Sequence, residues 1–141
     1  MSYFNTKQAL TDLLITSSIT GIGAGDIAFE NDIFDPKGKS AWLAAYFIPA
    51  TTDITGKTSA SSDEQRGIFQ VSVFVKKDNN EYDNTQLAII DDIISTFAYN
   101  TKIAYSGQNV DILSSTVNNG IENDSWFKRD VSINYLTFSE R

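Results

Sequence analysis

Apolar positions recur along the chain with two periods, and the switches between them mark the elements. From Tyr3 to about Thr16, Tyr3, Leu10 and Leu14, with Leu13 beside them, fall near helical spacing, and Ser2 is placed to cap the N-terminus. This predicts a first helix. Residues 17–26, SSITGIGAGD, are small and glycine-rich and end it. Ile27-Ala28-Phe29 reads as a short strand, and ENDIFDPKGKS as a polar turn region around Pro36 and Gly38. Residues 42–49, WLAAYFIP, are apolar on both faces: Trp42, Ala44, Tyr46 and Ile48 on one, Leu43, Ala45 and Phe47 on the other. A central strand covered on both sides reads this way.

From Gly67, GIFQVSVFVKK alternates, with Phe69, Val71, Val73 and Val75 on one face and Gln70 and Ser72 on the other. KKDNNEYD is a turn, and Asn80 with Asp83 marks the start of a second helix. Its apolar stripe is Leu87, Ile90, Ile94 and Phe97, with Ile93 beside them, reaching about Tyr99. VDILSSTV, residues 110–117, and the run from Trp126 to Phe138 are strands, with VNNGIEND a turn between them. In the last strand Phe127, Val131, Ile133 and Tyr135 alternate with Lys128, Asp130, Ser132 and Asn134, one face dry and one wet. The order helix, strands, helix, strands predicts an α+β fold: a mostly antiparallel (mixed) β-sheet packed against two main α-helices.

One stretch resists this pattern. ATTDITGKTSASSDEQR, residues 50–66, has the composition of a linker yet lies between two strands. Loops beyond about 12–15 residues are uncommon in compact domains and usually carry function or stay disordered. Residues 1–141 are therefore expected to form a single domain with a flexible loop at about 51–66.

Composition narrows the chemistry. Hydrophobic residues make up 41% of the 141, enough for one core. Eleven basic against 18 acidic residues leave a net charge of −7, which resists sticking to nucleic acid. There is no Cys and no His, which removes disulfides, thiolate chemistry, zinc sites built on those residues and imidazole acid–base catalysis. MSYFNTKQALTDLL has no basic region followed by an apolar one, so no secretory signal is visible. No apolar run reaches the roughly 18 residues of a membrane span, and use in soluble cytoplasm is expected.

Each motif with a chemical reading has a stronger bland one. Gly38-Lys39-Ser40 imitates the end of a phosphate-binding loop, but Ile33 stands where the first glycine belongs and a strand follows instead of a helix. GIGAGD, 21–26, has dinucleotide-like glycines at the wrong spacing and after a helix. Asp78, Asn80 and Tyr82 open like a calcium loop, but Asp83 replaces its glycine and Ile89 its closing Glu. Glu30, Asp32 and Asp35 cluster beside a turn and could hold a weak cation; a solvated surface explains them as well. Asp91 and Asp92 are adjacent on a helix and do not face each other. Asn123-Asp124-Ser125 is a sequon without a secretory context. Trp42, Tyr46 and Phe47 could stack bases, but few cations stand near them and core packing is the better reading. Trp126, on the wetter face of its strand, is a candidate interface anchor. The inventory gives no catalytic residue, no metal and no cofactor.

The order of these pieces resembles the tail terminator (tail completion, head-tail joining) proteins of long-tailed bacteriophages. The N-terminal helix is followed by F-x-N-x-x-F-x-P-x-G-x-x-x-W, here Phe29 to Trp42. A strand ending in Pro49, a polar loop, G-x-F-Q-V-x-V from Gly67 to Val73, an amphipathic helix and closing strands complete the pattern to about residue 138. KKDNNEYD departs from it, being polar and acidic where relatives carry a glycine-bearing turn. The resemblance implies a structural virion protein of the tail or neck, assembled in host cytoplasm. It would form a hexameric ring on the tail tube, stop its growth and offer a docking surface to the head connector. DNA would pass through the ring without sequence-specific binding, past acidic walls. The polar loop would order on the tube protein or a neighbouring subunit, with Thr55, Lys57, Asp63, Glu64 and Arg66 as partner-binding residues. The alternatives are another neck, connector-adaptor or tube-like subunit, or a small cytoplasmic binding domain, which would need a concave pocket.

Overall fold

The computed structural model describes residues 3–30, 33–54, 62–77, 84–123 and 125–140. Helix α1 spans Tyr3–Thr16, and its buried residues Thr6, Ala9, Leu10 and Leu14 repeat at the spacing of one helical face. Thr16 and Ser17 turn their hydroxyls back onto the carbonyls of Asp12 (2.8 Å) and Leu14 (2.6 Å), satisfying acceptors at the helix end. A single 3₁₀ turn at Ala24–Asp26 then leads into β1, Ile27–Phe29.

The remaining strands are β2 (Ala41–Ile54), β3 (Ser62–Lys76), β4 (Lys102–Tyr105), β5 (Gln108–Val117), β6 (Ile121–Asn123) and β7 (Trp126–Glu140). They form a seven-stranded sheet in the order β1-β2-β3-β7-β5-β4, with β6 on β7. Among the described residues, β1 and β2 run parallel and every other pairing is antiparallel. Helix α2, Asn84–Thr96, lies between β3 and β4 in the chain. The α+β expectation holds, with the sheet mixed and two helices.

Both helices cover the same face. Leu10 and Leu14 of α1 and Ile89, Ile93 and Phe97 of the α2 region are at most 1% exposed. They share one core with Leu43, Phe69, Val71, Val73, Ile112, Val131, Ile133 and Tyr135 from the strands. Burying a side chain of that size fully is worth about 1.5–3 kcal/mol.

Several expectations shift. The α2 stripe is rotated: Leu87 is exposed, while Gln86 is fully buried with Ile89, Ile90 and Ile93. Gln86 can be inside because its amide is satisfied there. Its Nε2 donates to the carbonyls of Val73 (2.9 Å) and Phe127 (3.1 Å), and its Oε1 accepts from Arg129 Nε (3.0 Å). The helix ends at Thr96, short of Tyr99, and Asn100 takes a left-handed φ of 65° just beyond. Ser2, Asn80 and Asp83, read as helix-start residues, lie outside the described residues.

Two strands appear where none was expected. β4 and β5 are joined at Ser106 (φ 49°) and Gly107 (φ 85°), the two-residue hairpin turn whose central positions both need positive φ. β6 forms within the expected turn VNNGIEND. Of the loop expected at 51–66, residues 55–61 lie outside the described residues. Thr51–Ile54 pairs with Asp63–Arg66 across β2 and β3, and Leu136–Glu140 of β7 backs Ser62–Arg66. Backbone pairing on two sides explains how so polar a sequence enters a sheet.

Strand β2 is not covered on both faces. Its Leu43–Ala45–Phe47 side meets the helices, whereas on the other side Tyr46 and Ile48 are 37% and 41% exposed. Trp42 on that side packs against Phe34, Phe74 and Trp126, and Ala44 is buried.

Candidate functional site

Two features stand out from the helix-covered body: a three-stranded arm and the sheet face that, among the described residues, no helix covers. The arm is built from β2 (Thr51–Ile54), β3 (Ser62–Arg66) and the end of β7 (Leu136–Glu140). Asp53 pairs with Glu64 and Thr51 with Arg66 across β2 and β3. Glu64 and Arg66 in turn face Phe138 and Leu136 across β7. Two carboxylates directly opposite repel, and Arg66 offsets this by placing Nε 2.6 Å from Glu64 Oε1. Arg66 keeps about half of its side chain exposed, so the pair contributes little to stability and leaves a guanidinium edge for another acceptor.

The base of the arm is tightly packed. A bulge interrupts the β2–β3 register between Pro49 and Thr51, opposite Gly67. A Cβ on Gly67 would lie 2.6 Å from the Ile48 carbonyl oxygen and would overlap the Tyr135 ring and hydroxyl, so only glycine fits. Tyr135 stacks on Phe47 at 5.6 Å between centroids. Burial, with Tyr3 nearby as a lesser cause, pushes the Tyr135 phenol up to about 12. Tyr3 itself meets Phe47 edge-on at 6.3 Å and reaches Thr52 of the arm, Oη to Oγ1 3.4 Å. The start of α1 thus touches both the body and the arm.

The open face is polar at its centre and apolar at both ends. Ser72 donates to Asp130 Oδ1 at 2.6 Å, and Lys128 Nζ stands 3.6 Å from the same oxygen. Asn134 donates to Ser114 Oγ at 2.9 Å. Toward the arm lie Tyr46, Ile48, Ile68, Leu136 and Phe138, the last 51% exposed. At the other end Trp42 stacks on Phe74 (4.0 Å), meets Trp126 at right angles (6.0 Å) and packs against Phe34 (5.0 Å). The Trp42 indole N–H is buried there without a hydrogen-bond acceptor among the described residues.

The structure brings Asp63, Glu64 and Arg66 together on the arm, as strand residues and not loop residues. Thr55 and Lys57 lie outside the described residues. Trp126 is half-buried in the aromatic cluster of the open face. Gly38 (φ 81°) closes a turn in which Lys39 N–H donates to the Pro36 carbonyl, and a strand follows, as the turn reading of Gly38-Lys39-Ser40 requires. Lys39 instead binds Asp26 at 2.6 Å, and that contact, with the Gly23 N–H on the same carboxyl, holds Asp26 below the usual carboxylate range. Of the acidic cluster, Glu30 accepts the Phe47 N–H, Asp35 accepts the Lys37 N–H, and Asp32 is outside the described residues, as are Asp78, Asn80, Tyr82 and Asp83. Asp92 accepts the Thr20 N–H (2.9 Å) and hydroxyl (2.8 Å), which keeps its carboxyl below its ordinary value.

Of the apolar residues of the open face, sequence reasoning singled out Trp126 as an interface anchor and read Trp42 and Tyr46 as core; Ile68, Leu136 and Phe138 were not singled out. The signal was present in WLAAYFIP, apolar on both faces, of which the described helices cover one.

A model of the phage tail terminator protein family matches residues 5–135 of the chain. One solved structure superposes with a TM-score of 0.72 at 21% identity, covering 97% of this chain and 96% of its own, and shows the same fold. No curated protein sequence matches.

Proposed function

The chain belongs to the phage tail terminator family, and we propose that it closes a hexameric ring on the end of the tail tube. The ring stops tube polymerisation and presents its far side to the head connector. The observation that carries this reading beyond the family is the pairing of a rigid, helix-covered body with a charged arm and an uncovered sheet face. A subunit that acts alone has little use for either. Asp63, Glu64 and Arg66, continued by Thr55 and Lys57, meet the tube or the neighbouring subunit, and Trp126 anchors an interface. The net charge of −7 suits a ring through which DNA passes without adhering. Assembly takes place in host cytoplasm, and the finished protein resides in the virion.

Electron microscopy of lysates from a phage with an early stop codon in this gene tests the reading. Headless tails of uncontrolled length are expected. Headless tails of normal length would assign joining without length control, as for a neck or connector-adaptor subunit. Normal virions would overturn both roles and favour a small binding domain.

A further inference from the structure

We propose that successive subunits of the ring join by backbone pairing between the arm edge of β2, Thr51–Ile54, and the free edge of β5, Ser114–Val117. This rests on the ring reading and names the two surfaces that close it.

The sheet guards one edge selectively. β1 covers β2 only as far as Phe29 opposite Ala45. The Glu30 carboxylate then takes the Phe47 N–H, and Pro49 has no N–H to offer. A partner strand is thus refused along the body, by the devices that protect sheet edges. Past the bulge the guard ends. Thr51–Ile54 has β3 on one side and, among the described residues, no strand on the other.

The opposite side of the sheet repeats the arrangement. β4 covers β5 from Gln108 to Asp111, and Thr101 and Asn100 complete the backbone bonds of Ile112. A bulge between Ile112 and Ser114 follows. Ser114–Val117 then has β7 on one side and no further strand partner among the described residues. The two open segments are equal in length, each begins just after a bulge, and neither contains Pro or Lys. Each is flanked by exposed apolar side chains, Tyr46 and Ile48 on one side of the sheet, Val117 (39%) and Ile121 (55%) on the other.

Charge selects the pairing. Two β2 edges brought together would place the Asp53 carboxylates of both copies within a few positions of each other, directly opposite in one antiparallel register, with Glu64 on the next strand of each copy. The β5 segment, SSTV, carries no charge, so the unlike pairing avoids that repulsion and uses both edges of every subunit. Unlike pairing is head-to-tail, and a head-to-tail contact closes into a ring when its rotation closes.

The chain has no cysteine, so introduced thiols report contacts without background. Paired strands hold opposite residues about 4.5–5.5 Å apart, within disulfide reach. Thr51→Cys and Thr52→Cys are each mixed with Ser115→Cys and Thr116→Cys, covering both faces and adjacent registers. The mixtures are added to tail tubes lacking the protein, rings are scored by microscopy, and disulfides by non-reducing gels. Unlike variants are expected to cross-link only in the mixture, and Thr52→Cys with Ser115→Cys, which lie on the same face of the sheet, in one chain to give a ladder ending at the ring's subunit number. Rings without unlike cross-links, or Thr52→Cys cross-linking to itself as strongly, would overturn edge pairing and leave the ring standing. Absence of rings with the unmodified chain would overturn the ring reading and the pairing with it.

Discussion

The two faces of the sheet are made from the same strands and have opposite characters. On β3, Phe69, Val71, Val73 and Val75 point into the helix-covered core and are at most 5% exposed. Between them Gln70, Ser72 and Phe74 point to the face that no helix covers, where Ser72 bonds Asp130 across to β7. The first face is satisfied within one chain: apolar groups meet apolar groups, and the buried Gln86 amide has its partners. The second is satisfied only at its centre, where hydroxyls and charges pair. Its ends expose Phe138, Ile48 and Tyr46 near the arm. Folding fixes the first face, and the second is left for assembly.

Truncating one large side chain on each face breaks this comparison most directly. Phe97→Ala removes a ring 1% exposed that packs against Phe69 at 5.7 Å, and should destabilise the monomer by about 3–5 kcal/mol in urea unfolding. Phe138→Ser, on the exposed end of the open face, should change monomer stability by no more than about 0.5 kcal/mol while reducing ring assembly on tubes. Equal losses from the two would mean that the open face also belongs to the folding core.

Tyr135 sharpens the comparison because it lies on the covered face at the base of the arm. Its phenol titrates near 12 in the folded chain against about 10 when unfolded. The neutral form is favoured by folding, so this stabilisation is complete below about pH 10 and is lost as pH rises from 10 to 12. The loss reaches about 2–3 kcal/mol. Tyr135→Phe should flatten that alkaline decline in chemical denaturation, and an unchanged slope would assign it to other groups.

Gly67 tests the same place sterically. Gly67→Ala forces a methyl against the Ile48 carbonyl and the Tyr135 ring, and should cost about 1–3 kcal/mol. Combining it with Tyr135→Phe should recover little, since the ring atom Cζ remains 2.7 Å from the added Cβ. Full recovery would place the whole conflict at the hydroxyl.

The covered face was largely readable in the sequence because period reports burial. Val71, Val73, Val131 and Ile133 alternate as strand residues must, and Leu10 and Leu14 repeat as helix residues must. Leu87 misled because an apolar residue at helical spacing was taken as core, while a glutamine with three partners held the inside position. The arm was hidden for the opposite reason. TTDI and SDEQR lack apolar alternation, and their strand structure comes from backbone pairing, TTDI with β3 and SDEQR also with β7, a contact distant in sequence. Of the candidate site, Asp63, Glu64, Arg66 and Trp126 were visible as charges and an aromatic in odd places. The free edges were not, because an unpaired backbone leaves no mark in the side-chain pattern.

The smallest effect expected is at Asp92, on the exposed side of α2. Its carboxylate accepts both the N–H and the hydroxyl of Thr20 and so ties the segment after α1 to α2, on the covered side of the sheet. Those two hydrogen bonds hold its pKa below the ordinary 3.8. A carboxyl with a lowered folded pKa contributes stability above its unfolded value and loses it as pH falls through the folded one. Asp92→Asn keeps an acceptor oxygen and removes the charge. The variant should therefore unfold at slightly lower urea than the wild-type chain at pH 7, and the two midpoints should converge as pH falls below 3.8. Ring assembly should be unchanged, because the contact stabilises the covered side alone. A difference in midpoint that persists at pH 2 would mean that packing, not charge, is what Asp92 contributes. Lost assembly at neutral pH with an intact monomer would show that the boundary between the folding face and the assembling face lies elsewhere than the sheet.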